Sequence, residues 1–354
     1  GVQTCALPIF QLAVRHHQAG RLADAETMYR QSLAADPENA DALHLLGITA
    51  HQIGRTTLAP EMIRAAIRAR PEVAAYHSNL GAILTSSGSA STAIAACRRA
   101  IELQPDFADA HYQLGNALRA THSLPEAANA YRRARELRPA HAPVLNNLGI
   151  TLREMGCLNE AISCYREGIR QAPENADLHG NLGEAMCEMK EWSAAIAECR
   201  AALQIRPDHP EATCTLGNAL RGEGNFADAI AAYRRALDLR PGYFAAQNNL
   251  GATLHEHGKI EAAIAECRRA VTLGPNEATA HFNLANALAQ AGQLEEARME
   301  YQTAIRLRPR YAEAHYNLGN TLRELGCLDD AATAYRAALE IERLHAESHN
   351  NLSI

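Results

Sequence analysis

A small residue recurs every 34 positions along this chain, and that period constrains the fold more than any other feature. Leu-Gly pairs stand at Leu46-Gly47, Leu80-Gly81, Leu114-Gly115, Leu148-Gly149, Leu182-Gly183, Leu216-Gly217, Leu250-Gly251 and Leu318-Gly319. Leu12-Ala13, Leu284-Ala285 and Leu352-Ser353 keep the spacing with other small residues. The 354 residues hold a little over ten such periods. Twelve residues after each small position comes Ala, from Ala25 to Ala331, and seven further on a second small residue is usual, from Ala66 to Ala338. Pro then closes most units, from Pro37 and Pro71 to Pro309. A unit of this length cannot bury its apolar face alone and must stack on its neighbours. Composition agrees: aromatics are 5% of the chain, and much of the 47% apolar share is Ala, which suits thin layers of helices better than one large core.

Each recurrence has a physical reason. Small residues at fixed points let two helix axes approach closely. A Gly midway along most units (Gly20, Gly54, Gly88, Gly156, Gly224, Gly258, Gly292, Gly326) ends a first helix, where a left-handed cap suits glycine. His122 and Lys190 take that place in two units, so those turns are predicted to be strained. The closing Pro stops a second helix, and acidic residues beside it, as in Pro37-Glu38 and Pro207-Asp208, favour the next helix start. Leu84, Leu118, Leu152, Leu220, Leu254, Leu288 and Leu322 continue the apolar stripe of the first helix.

Several function classes drop out. A net charge of −6 with no Lys/Arg block argues against a nucleic-acid partner. No run of 18 apolar residues exists, so no membrane span or membrane partner is expected. Nine Cys without a small-scaffold spacing point to a reducing, cytoplasmic compartment. Of the 34 basic residues only Lys190 and Lys259 are lysines, a bias that fits a GC-rich, bacterial coding sequence. Residues 1–9, GVQTCALPI, break the pattern and resemble a translated sequencing adapter, so the native sequence is expected to start near Phe10. They lack the basic start and apolar run of a signal peptide. Residues 346–354 read as the start of a further unit, so the chain is expected to be a fragment of a longer one.

The agreement of period, small residues and Pro resembles the tetratricopeptide repeat (TPR). The resemblance implies an all-α fold: a right-handed superhelical solenoid of stacked helix-turn-helix units. First helices would line its concave face and second helices its convex face. Ten units are placed over residues 10–345, with boundaries from about 6–39 to 312–345. Arg343 stands where the last Pro is expected, so that boundary is weaker.

Catalytic and metal chemistry find little support. Cys97, Cys199 and Cys267 occupy the position held elsewhere by Tyr29, Tyr131, Tyr165, Tyr233, Tyr301 and Tyr335, and read as core fillers. Cys157 and Cys327 fall in the turn between helices, and no C-x-x-C occurs. His77, His111, His179, His281, His315 and His349 share one register and read as semi-buried packing residues. His255-Glu256-His257 lacks the spacing of a zinc helix. No phosphate loop, dinucleotide fingerprint or nucleophile elbow is present, so no cofactor is expected.

Asparagines differ. Two residues before the small position stand Asn79, Asn147, Asn181, Asn249, Asn283, Asn317 and Asn351, with Gln113 and Thr215 as polar replacements. One residue after it stand Asn116, Asn218, Asn286 and Asn320. Asn disfavours a helix interior by a few tenths of a kcal/mol, so something must offset its recurrence. One reading is a structural hydrogen bond to the adjacent unit. The other is a ladder of amides facing the groove, each offering donor and acceptor to a peptide backbone of any sequence. With layers about 10 Å apart and an extended chain rising about 3.3 Å per residue, one Asn would meet roughly every third peptide residue. The ladder resembles the TPR arm of O-GlcNAc transferase, where such residues hold the substrate polypeptide; that family's sugar-nucleotide domain has no counterpart here.

Arg119, Arg153, Arg221 and Arg323 share a further register toward the same face. Paired with Asp109, Asp177, Glu211 and Glu313 near helix starts, they read either as a solvated face or as selectors for acidic side chains. A clamp for acidic chaperone tails would need Lys three residues before the small position. His44, Ser78, Tyr112, Asn146, Gly180, Cys214, Asn248, Phe282, Tyr316 and Asn350 stand there instead. The expected role is a scaffold holding an extended polypeptide, or the substrate arm of an O-GlcNAc transferase-like glycosyltransferase.

Overall fold

The computed structural model describes residues 3–341. The expected further unit at 346–354, with Asn351, lies outside them, as do Arg343 and His349. The described residues form twenty α-helices and no strand. They fall into two compact units, residues 1–173 and 174–354. In the first unit, the first helices of successive repeats are α1 (Gln3–Gln18), α3 (Ala40–Gln52), α5 (Ala74–Ser86), α7 (Ala108–Ala120) and α9 (Ala142–Glu154). Their partners are α2 (Leu22–Ala35), α4 (Leu58–Ala69), α6 (Ala90–Leu103), α8 (Leu124–Leu137) and α10 (Leu158–Gln171). In the second unit the first helices are α11 (Ala176–Glu188), α13 (Pro210–Gly222), α15 (Phe244–Glu256), α17 (Ala278–Gln290) and α19 (Ala312–Glu324). Their partners are α12 (Trp192–Ile205), α14 (Phe226–Leu239), α16 (Ile260–Leu273), α18 (Leu294–Leu307) and α20 (Leu328–Ile341).

The turn chemistry follows the expected logic. Each mid-unit Gly adopts positive φ, between 72° and 85°. His122 and Lys190 are held in the same left-handed region, at φ 57° and 59°, where a side chain is disfavoured. Second helices stop two residues before Pro, because the pre-proline residue is pushed out of the α region. Arg138, for example, sits at φ −138°, ψ 83° before Pro139. The acids flanking Pro do not cap the next helix; Asn39 and Asn175 do, their side chains accepting from backbone N–H groups of α3 and α11.

Within each hairpin the small position faces the second helix. A Cβ placed on Gly115 would meet the Tyr131 ring at 2.5 Å, and one on Gly217 would meet Tyr233 at 2.6 Å. Tyr131 and Tyr233 are fully buried, and so are Cys97, Cys199 and Cys267 in the same register. Burial pushes the Cys97 and Cys267 thiols up to about 12, as befits inert core residues. Within each unit neighbouring first helices touch, as α5 with α7 and α11 with α13. Neighbouring second helices hardly do among the described residues. The first helices therefore form the inner side of each stack.

Candidate functional site

On a first helix, the residues two before, one after and four after the small position lie on one face, because they are spaced by three. That face carries all the expected site residues. Asn79, Asn116, Asn147, Asn181, Asn218, Asn249, Asn283, Asn286, Asn317 and Asn320 are half-buried on it, as are Arg119, Arg153, Arg221 and Arg323.

The asparagines bond to the stack itself. Asn147 Nδ2 donates to Asn116 Oδ1 of the preceding repeat at 2.9 Å. Asn249 donates to Asn218, and Asn317 to Asn286, at the same distance. The receiving oxygen also accepts from the buried tyrosine of its own hairpin: Tyr131 to Asn116 at 2.7 Å, Tyr233 to Asn218 at 2.8 Å, Tyr301 to Asn286 at 2.6 Å. Tyr335 donates to Asn320 at 2.9 Å in the same way. Burial raises the pKa of all four phenols, so each remains a donor. A second link uses the residue three before the small position. Asn79 Nδ2 lies 2.8 Å from His44 Nε2, and Asn283 Nδ2 lies 3.0 Å from Asn248 Oδ1. Asn147 also reaches Tyr112 Oη at 3.2 Å. Burial holds the His44 pKa down to about 4, against a smaller opposing effect of Asp41, which leaves Nε2 free to accept.

A hydrogen bond to the adjacent unit is one of the two sequence readings of the asparagines; its partners, 31 and 35 residues away, are not named there. The amide donors are largely used. The carbonyl oxygens of Asn249 and Asn317 accept no hydrogen bond among the described residues.

Arg119 and Arg221 have partners other than those expected. Arg221 forms a bidentate pair with Glu256, 35 residues on, with Nε 2.7 Å from Oε2; this pairing raises the arginine's pKa. Arg119 reaches Glu154 at 3.4 Å in the same relation. The helix-start acids Asp109, Asp177 and Glu211 pair instead with Arg138, Arg206 and Arg240 at the ends of second helices, Arg138 to Asp109 at 2.8 Å. The reason is geometric. Asp109 and Arg119 stand ten residues apart on one helix, about 15 Å at 1.5 Å per residue. The antiparallel hairpin meanwhile brings the end of the second helix beside the start of the first.

Three recesses open on the first-helix face. One, of about 490 Å³, is bounded by α5, α7 and α9 and lined by Gln113, Asn116, Arg119, Asn147 and Glu154. A second, of about 540 Å³, spans α11, α13 and α15 and includes Asn218, Arg221, Asn249 and Glu256. The third, of about 300 Å³, holds Asn286, Asn317 and Asn320. Trp192, the first residue of α12, lines the second recess.

The histidine register serves the loops. His77, His111, His281 and His315 each place Nε2 about 3 Å from the carbonyl of the Pro six residues earlier. No group of three His, Cys, Asp or Glu among the described residues could hold a metal ion. No described helix is long and apolar enough to cross a membrane.

Models described as tetratricopeptide repeat match residues 10–72, 142–175, 174–242, 214–278 and 312–343, and one described as TPR repeat matches 81–121 and 285–326. No curated protein matches the chain. Among solved structures, a tetratricopeptide repeat protein from Parabacteroides merdae is similar over 71% of this chain and 99% of its own, at 15% identity and a TM-score of 0.59. YrrB, described as a TPR protein with an unusual peptide-binding site, is 23% identical over 54% of this chain and 98% of its own, with a TM-score of 0.44. MamA from Desulfovibrio magneticus is 24% identical over 48% of this chain and 97% of its own, with a TM-score of 0.44.

Proposed function

The chain belongs to the tetratricopeptide repeat family, and from that premise we propose that the first-helix face of each unit binds an extended polypeptide. The observation that carries this reading is the set of open recesses lined by half-buried asparagine and arginine. The amides act as acceptors in this reading. Their donors tie the repeats together, so Asn249 and Asn317 offer carbonyl oxygens to the backbone N–H groups of a ligand. Contacts to backbone make the groove tolerant of sequence, and side chains around each recess add preference. The binder is a bacterial, cytoplasmic scaffold in this reading, and we assign no catalytic step to its residues.

A narrower form makes the chain the substrate arm of an O-GlcNAc transferase-like glycosyltransferase. Its support is the asparagine register alone. Reading the source gene past the codon for Ile354 tests it: a sugar-nucleotide-binding domain there favours the arm, and any other domain removes it.

The groove reading is tested by filling the recesses without touching the asparagines. Ala120→Trp and Ala289→Trp each place an indole in a recess. Peptides selected from a random display library on the unmodified chain are expected to bind the double variant at least tenfold more weakly, with helical content and unfolding midpoint preserved. Equal binding to both proteins sinks the groove as the site.

A further inference from the structure

Two registers at the ends of the first helices meet across neighbouring repeats. Four residues after the small position stand Arg119 and Arg221, and five residues after it stand Glu154 and Glu256. Arg119 reaches Glu154 and Arg221 reaches Glu256, each pair 35 residues apart. By the same spacing Glu324 on α19 should meet an arginine at position 289 on α17, but Ala289 stands there. Glu324 is exposed, and among the described residues it has no hydrogen-bond or ion-pair partner.

The third recess, of about 300 Å³, keeps the rest of the arrangement. In the two paired repeats the arginine also lies beside the tyrosine of its own hairpin, Arg119 beside Tyr131 and Arg221 beside Tyr233. The equivalent Tyr301 lines the third recess together with Ala289 and Glu324, and the lining contains no Lys or Arg. Its one imidazole, His255, is held below its ordinary pKa by burial, against smaller opposing effects of Glu256 and Gln290, and so adds no positive charge at neutral pH. Arg323 follows a different path: it stays outside the lining and lies near Tyr335 of its own hairpin. The recess is thus a socket for a guanidinium, with the carboxylate in place and the chain's own arginine replaced by a methyl group.

We infer that this recess takes an arginine side chain of the bound polypeptide, its guanidinium paired with Glu324 as Arg221 pairs with Glu256, and its aliphatic stem against Ala289 and Leu294. Arginine fits better than lysine, because the pair in this register is bidentate where it is best formed, and only a planar fork meets both carboxylate oxygens at once. The inference rests on the groove reading and adds to it a residue preference at one repeat of the second unit.

The experiment selects random nonapeptides by display on the full chain. The expected pool carries Arg at one position at least fivefold above the starting library. Exchanging that Arg for citrulline, which keeps the shape and loses the charge, is expected to weaken binding at least fivefold. Two variants, each checked for an unchanged or higher unfolding midpoint, locate the effect. Glu324→Gln removes the carboxylate, and Ala289→Arg supplies the chain's own guanidinium. On either one the citrulline exchange is expected to change affinity less than twofold. If Ala289→Arg fails to fold, the isosteric Glu324→Gln decides alone. Absence of Arg enrichment, or a citrulline effect as large on Glu324→Gln as on the unmodified chain, overturns the inference; the groove still stands where Ala120→Trp/Ala289→Trp weakens the same pool. A pool that binds this filled variant unchanged overturns both, and so does failure to enrich any pool.

Discussion

At the scale of residues, the chain pairs its side chains across positions that look independent in a single repeat. Asn stands one residue after the small position in four repeats, at Asn116, Asn218, Asn286 and Asn320. In each of them the second helix supplies a buried Tyr whose hydroxyl that Asn accepts. Where Cys97, Cys199 or Cys267 replaces the tyrosine, the matching residue is Ala82, Glu184 or Ala252. This covariation was legible in the sequence. What was not legible is the third member, the Asn of the next repeat, because its partner lies on another helix and only the stacking geometry brings them together. The structural reading holds for the Asn147, Asn249 and Asn317 donors, which serve the stack; in the groove reading proposed above, the carbonyl oxygens of Asn249 and Asn317 serve a ligand. A pair of substitutions checks this. Tyr233→Phe removes one donor and should cost about 1 kcal/mol. Asn218→Ala leaves both the Tyr233 hydroxyl and the Asn249 amide without their acceptor, and should cost about 2–3 kcal/mol. Urea unfolding measures both; an Asn218→Ala variant as stable as Tyr233→Phe would remove the structural half of the account.

At the scale of elements, the hairpin turn is the feature the sequence states most directly. Eight turns place glycine at positive φ and two do not. Lys190, exposed and held at φ 59°, continues the same turn with a side chain that disfavours it. Its N–H still donates to the Cys187 carbonyl, so the hydrogen bonding of the turn is intact and the strain is local. Lys190→Gly should therefore stabilise the chain by about 1 kcal/mol, the relief of left-handed strain less the entropy glycine adds to the unfolded chain. Gly258→Ala, the reverse change in another turn, should destabilise by a similar amount. Denaturant midpoints read both, and a neutral or destabilising Lys190→Gly would mean that the lysine side chain contributes something the turn geometry does not reveal. The same α11–α12 hairpin shows where sequence reasoning falls short. Trp192 looks like an ordinary apolar residue at a helix start. Its place in a recess depends on Gly222, 30 positions away and on a different hairpin, where glutamate is the more frequent residue.

At the scale of the molecule, stability is distributed rather than central. The hydrophobic clusters run along the stack rather than converge on one centre: one extends from Ala40 through Ile63 and Leu80 to Ala117, one joins Tyr29 and Leu46, and another joins Ala176, Ala202 and Ala212. In a stacked repeat, stability approximates a sum of terms within units and between nearest neighbours. Each compact unit contains its own complete links, Asn116 to Asn147 in residues 1–173, and Asn218 to Asn249 and Asn286 to Asn317 in residues 174–354. The two halves, produced separately, are therefore each expected to keep the helical circular-dichroism signal per residue of the full chain within about a tenth, and to unfold cooperatively. Locality makes a sharper demand on the same samples. Asn218→Ala should lower the unfolding midpoint of the second half, and the same change in the full chain should leave hydrogen exchange in α3 to α7 as it was, because those helices share no partner with Asn218. A half that gives no helical signal would show that five repeats do not bury enough surface to offset the entropy of folding. Slower or faster exchange in α3 to α7 would show that coupling extends beyond nearest neighbours, and the sum over local terms would have to be replaced by a cooperative one.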